Sequence, residues 1–218
     1  FGVHVFATEE TPDSKVLHAS NVLAQYLDND ANGAPDNVKV VNAMTEVNAS
    51  IFMVASPDDV EPMLNSLPMR AYAMAEDGRL HPQDLYASET NPPKAQGRFD
   101  ASLEEVLHLI TDTGFGHAYP KVFGKDSGST IAGYMDKARG GHFEEDSEAS
   151  CGDDRFGDSG QQDQCALPPN GNYPEGAWYT YLDPTCDYSC MVTEYFYWAL
   201  TTLLGAQSDS GRCKEISD

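Results

Sequence analysis

The chain is short of positive charge. It carries 13 Lys and Arg against 35 Asp and Glu over 218 residues, a formal net charge of -22. A surface this acidic repels phosphate backbones, which excludes nucleic acid as a partner class and argues against docking to anionic membranes. Long apolar runs are also missing. No stretch approaches the ~18 consecutive apolar residues of a membrane span. Cysteine is absent from the first 150 residues. There is no P-loop and no G-x-S-x-G nucleophile elbow, and Gly114-x-Gly116 does not extend to a nucleotide fingerprint. No signal peptide is visible, and the first residue is Phe1 rather than Met, as expected of a processed mature protein or of a trimmed chain.

What is present points toward cations or simply toward a well-solvated acidic surface. Hydrophobic residues make up 40% of the chain, enough for a true core. The five cysteines, Cys151, Cys165, Cys186, Cys190 and Cys213, all fall in the last third, among Gly, Asp and Pro. That clustering is expected of disulfide stapling in an oxidising, extracellular setting, with two bridges and one remaining thiol. Asn48-Ala49-Ser50 is a glycosylation sequon that fits the same setting.

Hydrophobic periodicity organises the chain as an α+β fold. Residues 1–8 alternate as a strand, 14–27 repeat with helical spacing, 36–47 form a shorter helix, and 50–55 read as a buried strand. Pro57 opens a short helix to Leu67. A third strand is expected over 70–75, and 81–97 reads as a polar connection. Helices follow at 102–110 and 129–138, with glycines 114 and 116 ending the first. A long acidic stretch, 140–176, leads to a final helix, 190–204, on which Met191, Tyr195, Trp198, Ala199 and Leu203 are expected to face inward. The expected architecture is a small N-terminal mixed sheet with helices, then a mainly helical, disulfide-stapled C-terminal half. It reads as a single domain over 1–218, with a subdivision into 1–98 and 99–218.

The densest chemistry lies in Ser102-Leu-Glu104-Glu105-Val-Leu-His108. Glu104 and His108 are four apart and Glu105 and His108 three apart, so all three share one helix face. Carboxylate and imidazole at this spacing can ligate a metal. A competing role for Glu105 is a capping box with Ser102. The stretch resembles the H-E-x-x-H helix of the zincin metallopeptidases, with Glu104 standing where that family has its first histidine. The resemblance implies zinc or another divalent transition metal, and Glu105 as the general base acting on metal-bound water. It also implies a third ligand from further along the chain, for which the candidates are Glu194, a lone carboxylate on an aromatic helix, and His117. Glutamate at 104 makes the ligand set harder and more anionic, favouring manganese, iron or calcium more than a two-histidine site does.

A second constellation is Asp28-Asn-Asp30-Ala-Asn32-Gly33-Ala34-Pro-Asp36. Oxygen side chains fall at loop positions 1, 3 and 5, glycine at 6, a backbone carbonyl at Ala34 and a carboxylate at Asp36, an oxygen set suited to calcium. The loop resembles the calcium loops of thrombospondin type 3 repeats and dockerins, departing from them at position 12, where Lys39 replaces an acid. An Asx-capped turn between helices is the alternative.

Among other histidines, His18 reads as a core residue and His142 as a loop contact to a ligand. The leading expectation is a secreted metal-dependent hydrolase acting on an extracellular peptide or polymer, with structural calcium. The alternative is a non-enzymatic calcium- or metal-binding adhesion or structural protein.

Overall fold

A computed structural model of the chain describes residues 1–66, 73–74, 77–92, 99–144, 166–208 and 212. The chain divides into two compact units, Phe1–Ala118 with Thr201–Asp218, and Tyr119–Leu200. The helix that begins at Ser102 belongs to the first unit, where it packs on the sheet and on the first helix.

The first unit is built on three strands, β1 His4–Ala7, β2 Ala49–Val54 and β3 His81–Tyr86, in the order β1-β2-β3. Both pairings are parallel, so the sheet is parallel rather than mixed. The central strand, Ala-Ser-Ile-Phe-Met-Val, is buried at five of its six positions, as a parallel strand covered on both faces must be. Helix α1, Asp13–Leu27, and helix α2, Val38–Glu46, form the crossover from β1 to β2 and bury Val22, Leu23, Leu27, Val40, Val41 and Met44. Asn37 caps α2 by accepting from the Val40 amide. After β2 the chain enters a short 3-10 turn, Pro57–Asp59, and α3, Val60–Ser66.

The third strand lies where a polar connection was expected. His-Pro-Gln-Asp-Leu-Tyr buries only Leu85 fully and alternates exposed with half-buried positions. Pro82 is tolerated because β3 is an edge strand, where one face of the backbone makes no ladder hydrogen bonds. The strand expected at 70–75 falls largely outside the described residues, and its two described members, Ala73 and Met74, are helical.

Helix α4, Ser102–Leu109, continues without a break into a π-helical segment, Ile110–Phe115, and a last turn α5, Gly116–Ala118. The glycines therefore do not end the helix. A Cβ on Gly114 would lie 2.6 Å from Val40 Cγ1 and 3.1 Å from Met44 Cγ, so this glycine exists to let α2 approach the helix backbone. The widened turn is supported by hydroxyls bonding back to carbonyls: Thr111 Oγ1 donates to Leu107 and His108, and Thr113 Oγ1 donates to Leu109.

The second unit comprises α6, Pro120–Phe123, α7, Thr130–Arg139, and most of α8, Tyr188–Leu203. Ser129 caps α7 through the Ala132 amide, and Gly140, at φ 80°, closes it in the left-handed conformation. Met135, Ala138, Leu167, Met191, Val192 and Tyr195 form its core. Cys186 and Cys190 are joined by a disulfide. Cys151, Cys165 and Cys213 lie outside the described residues. Leu203, expected to face inward on α8, is 85% exposed. Among the described residues, no helix is long and apolar enough to cross a membrane.

Candidate metal centre

Helix α4 is placed by its first turn. Asp100 Oδ1 accepts from the Ser102 amide, the Ser102 hydroxyl and the Asn91 amide, while Oδ2 pairs with His18 Nε2 at 2.7 Å. His18 is thus an anchor between α1 and the start of α4 rather than an inert core histidine. Burial disfavours the charge on Asp100, but the bonds from Asn91, Ser102 and His18 outweigh it and hold the carboxyl below its ordinary pKa. The residue at the N-cap is Ala101, with no side-chain cap bond. Ser102 is the first helical residue and bonds to Asp100 instead. No capping box forms, and Glu105 is released for other contacts.

Glu105 turns toward the sheet. Its Oε2 accepts from Gln83 Nε2 of β3 at 2.6 Å and lies 3.7 Å from His108 Nδ1. Among the described residues its Oε1 accepts no hydrogen bond. His108 is 7% exposed and sits among the buried side chains Val106, Leu107 and Leu109. One carboxylate oxygen of Glu104 and a ring nitrogen of His108 lie within 4.8 Å of each other. Further acids crowd this end of β3. Glu89 is pushed above its ordinary pKa by burial, partly opposed by its bond from the Tyr86 amide, with Glu105 and Asp84 adding repulsion. The Tyr86 phenol, hydrogen-bonded to Asp84, is pushed up to about 12. A region where several carboxylates repel one another is a region where a cation is stabilised.

His117 is not brought to His108. It lies nine residues on along the same helical run, about 13 Å of rise, is exposed, and meets His81 edge to face at 6.1 Å. Glu194 lies on α8 in the second unit, half-buried, near enough to the Tyr179 phenol that its charge helps raise that phenol's pKa after burial. His142, also in the second unit, is fixed between Asp136 at 2.8 Å and Glu144 at 3.1 Å. Desolvation works against its charge, but the bonds to those two carboxylates prevail and raise its pKa.

The loop at 28–36 folds around its own carboxylates. Asp28 accepts from the Asn32 and Gly33 amides at 3.0 and 2.8 Å, Asp36 from the Asn29 amide at 2.9 Å, and Asp30 from the Asn32 amide and side chain. Gly33, at φ 87°, makes the reversal. One oxygen from each of Asp28, Asp30 and Asp36 falls within 4.8 Å of the others. Asn32 Oδ1 is already engaged by the Ala34 amide, closing an Asx turn. The three aspartates of the expected set are therefore gathered, and Asn32 is turned to its own backbone.

Gln83 was not foreseen as part of this region. The only signal was its alternation with Pro82 and Asp84 around Leu85, too weak to mark a strand. No protein-family model matches this chain, and no curated protein or solved structure matches it either.

Proposed function

We propose that this chain is a divalent-metal-binding protein of the metal-dependent hydrolase type, with Glu104 and His108 of α4 as ligands. One observation carries the reading. A buried imidazole shares a helix face with two glutamates, and one of those glutamates is held from the sheet instead of capping the helix. Held by Glu104 and His108, a divalent ion would supply Lewis-acid chemistry of the kind that lowers the pKa of water toward neutrality. Glu104 supplies a hard oxygen and His108 a nitrogen, a mixed set suited to zinc or manganese. Glu105 is the group placed to accept a proton, through Oε1, which accepts no hydrogen bond among the described residues. The substrate class expected from the sequence, an extracellular peptide or polymer, belongs to the same proposal.

A second reading, a non-enzymatic calcium-binding protein of the cell exterior, is favoured by the three aspartates gathered at 28–36. Elemental analysis of protein purified without chelator separates the two. One equivalent of transition metal that disappears in His108→Ala is the expected result. Calcium alone, unchanged in that variant, would remove the hydrolase reading and leave the second. The sequence-based expectation that Glu194 completes the ligand set is tested by the transition-metal content of Glu194→Gln.

A further inference from the structure

We infer that His142 is a proton-operated latch. As an imidazolium it ties Glu144 to Asp136 of α7, and loss of one ring proton releases Glu144 together with the Phe143 packing held between them. The latch lies in the second unit and does not depend on the proposed metal centre.

Counting protons decides the state of the ring. His142 Nδ1 lies 2.8 Å from Asp136 Oδ2, and Nε2 lies 3.1 Å from Glu144 Oε1. Both are hydrogen-bond distances. A carboxylate only accepts and a neutral imidazole has a single N–H, so the two bonds together need the doubly protonated ring. They leave from opposite edges of the ring, a geometry that suits a proton on each nitrogen and not one metal ion shared by all three groups.

The surroundings agree with an imidazolium. Tyr188 of α8 meets the ring edge to face at 4.8 Å and donates its phenol to the same Asp136 oxygen at 3.0 Å. Burial and that bond push the Tyr188 phenol up, so it keeps its proton where the imidazole loses one. Arg139 of α7 is fully buried, donates to the Ala166 carbonyl and stacks over the Phe143 ring at 5.0 Å. Asp187, beside Tyr188, accepts from the Ser189 hydroxyl and the Cys190 amide of its own helix. Asp136 and Glu144 are the charges that act on the ring, and they outweigh its desolvation and raise its pKa.

The two arms differ in freedom. The Asp136 side chain is 19% exposed and that of Glu144 78%. A ring left with one proton keeps it on Nδ1, against the sheltered carboxylate, and Glu144 then faces a lone pair and turns to solvent. Phe143, edge to face with Tyr173 at 6.0 Å, sits between the two anchors and loosens with the second. Gly140, at φ 80°, and Gly141 precede the ring and can take up the backbone change. With the folded pKa above its ordinary value, the contribution of the latch is fully present below that value. It is lost as pH rises through the raised one.

The test is a nitrogen-15 titration of the His142 ring in the whole chain from about pH 5 to about pH 10. Nuclear Overhauser contacts between Phe143 and Tyr173 are followed in the same samples. The expected midpoint lies above 6.5, with both nitrogens protonated below it and Nδ1–H alone above it. The Phe143–Tyr173 contacts are expected to weaken across the same midpoint. Glu144→Gln, at an exposed position, is expected to lower the midpoint by roughly half a pH unit or more. A wild-type midpoint at or below 6.5, an Nε2–H ring at high pH, or Phe143 contacts that ignore the transition would each overturn the latch without any variant. So would a Glu144→Gln protein whose midpoint matches wild type.

Discussion

The two acidic regions of the first unit are held in opposite ways. On α4, Glu105 and His108 are set by packing and by partners distant in sequence: Gln83 from β3, and His18 acting through Asp100. At 28–36, Asp28, Asp30 and Asp36 are set by amides within the same nine residues. The first arrangement is only as rigid as the tertiary core beneath it. The second is local, and largely survives anything that spares the loop backbone. A site that depends on the core couples its geometry to global stability, whereas a loop site couples only to local order.

The largest expected effect breaks this comparison along its seam. His108→Ala should abolish transition-metal content and leave calcium untouched, while Asp28→Asn should do the reverse, both read by elemental analysis. Loss of both metals in either single variant would show that the regions are not independent.

Next in size is Gly114→Ala. The added Cβ would lie 2.6 Å from Val40 Cγ1, closer than real contacts come, and 3.1 Å from Met44 Cγ, so these side chains must shift or α2 and the helical run must move apart. A loss of about 1–3 kcal/mol in urea unfolding is expected, with weakened zinc binding and unchanged calcium affinity. Retained stability would mean that the close approach at Gly114 is not needed.

Asp28→Asn has a stability effect as well as a ligand effect. It replaces a carboxylate that accepts two amides. A loss on the order of 1–2 kcal/mol is expected in calcium-free protein. In the wild type, calcium at about 100 times its dissociation constant should stabilise by about 2.7 kcal/mol. A melting temperature that calcium leaves unchanged would return the loop to an Asx-capped turn.

The smallest effect is a pH dependence. The Asp100 carboxyl titrates below its unfolded value, so its contribution is fully present above that value and is lost as pH falls through the depressed folded one. Asp100→Asn should therefore flatten the acid side of the stability curve and leave the region above pH 6 parallel to wild type. An identical acid limb in both proteins would show that the bonds Asp100 accepts from Asn91, Ser102 and His18 carry no net stability.

Much of the scaffold was legible in the residues themselves. The periodicity of 14–27 and the apolar run Ile51-Phe52-Met53-Val54 identify α1 and β2, because these elements bury whole stripes or faces and the pattern records it. The clustering of Glu104, Glu105 and His108 on one face follows from helix geometry alone. Other features were illegible for identifiable reasons. Strand β3 buries a single residue fully, so its pattern carries little signal. Gly114 carries the composition of a helix stop, and its packing role exists only because α2 lies against it. His117 shares a helical run with His108, and continuous helix geometry separates the two.

Local pattern by itself determined the acidic character, the helix that carries Glu104, Glu105 and His108, and the loop that gathers three aspartates. Each depends on spacing within about ten residues, where backbone geometry leaves few alternatives. Tertiary structure alone decided that His18 anchors Asp100 at the start of the helix, that Gln83 holds Glu105, and that the helix runs on past its glycines. The two hydrogen-bonded pairs are 82 and 22 residues apart in sequence, and only the packed fold brings such partners within hydrogen-bonding distance.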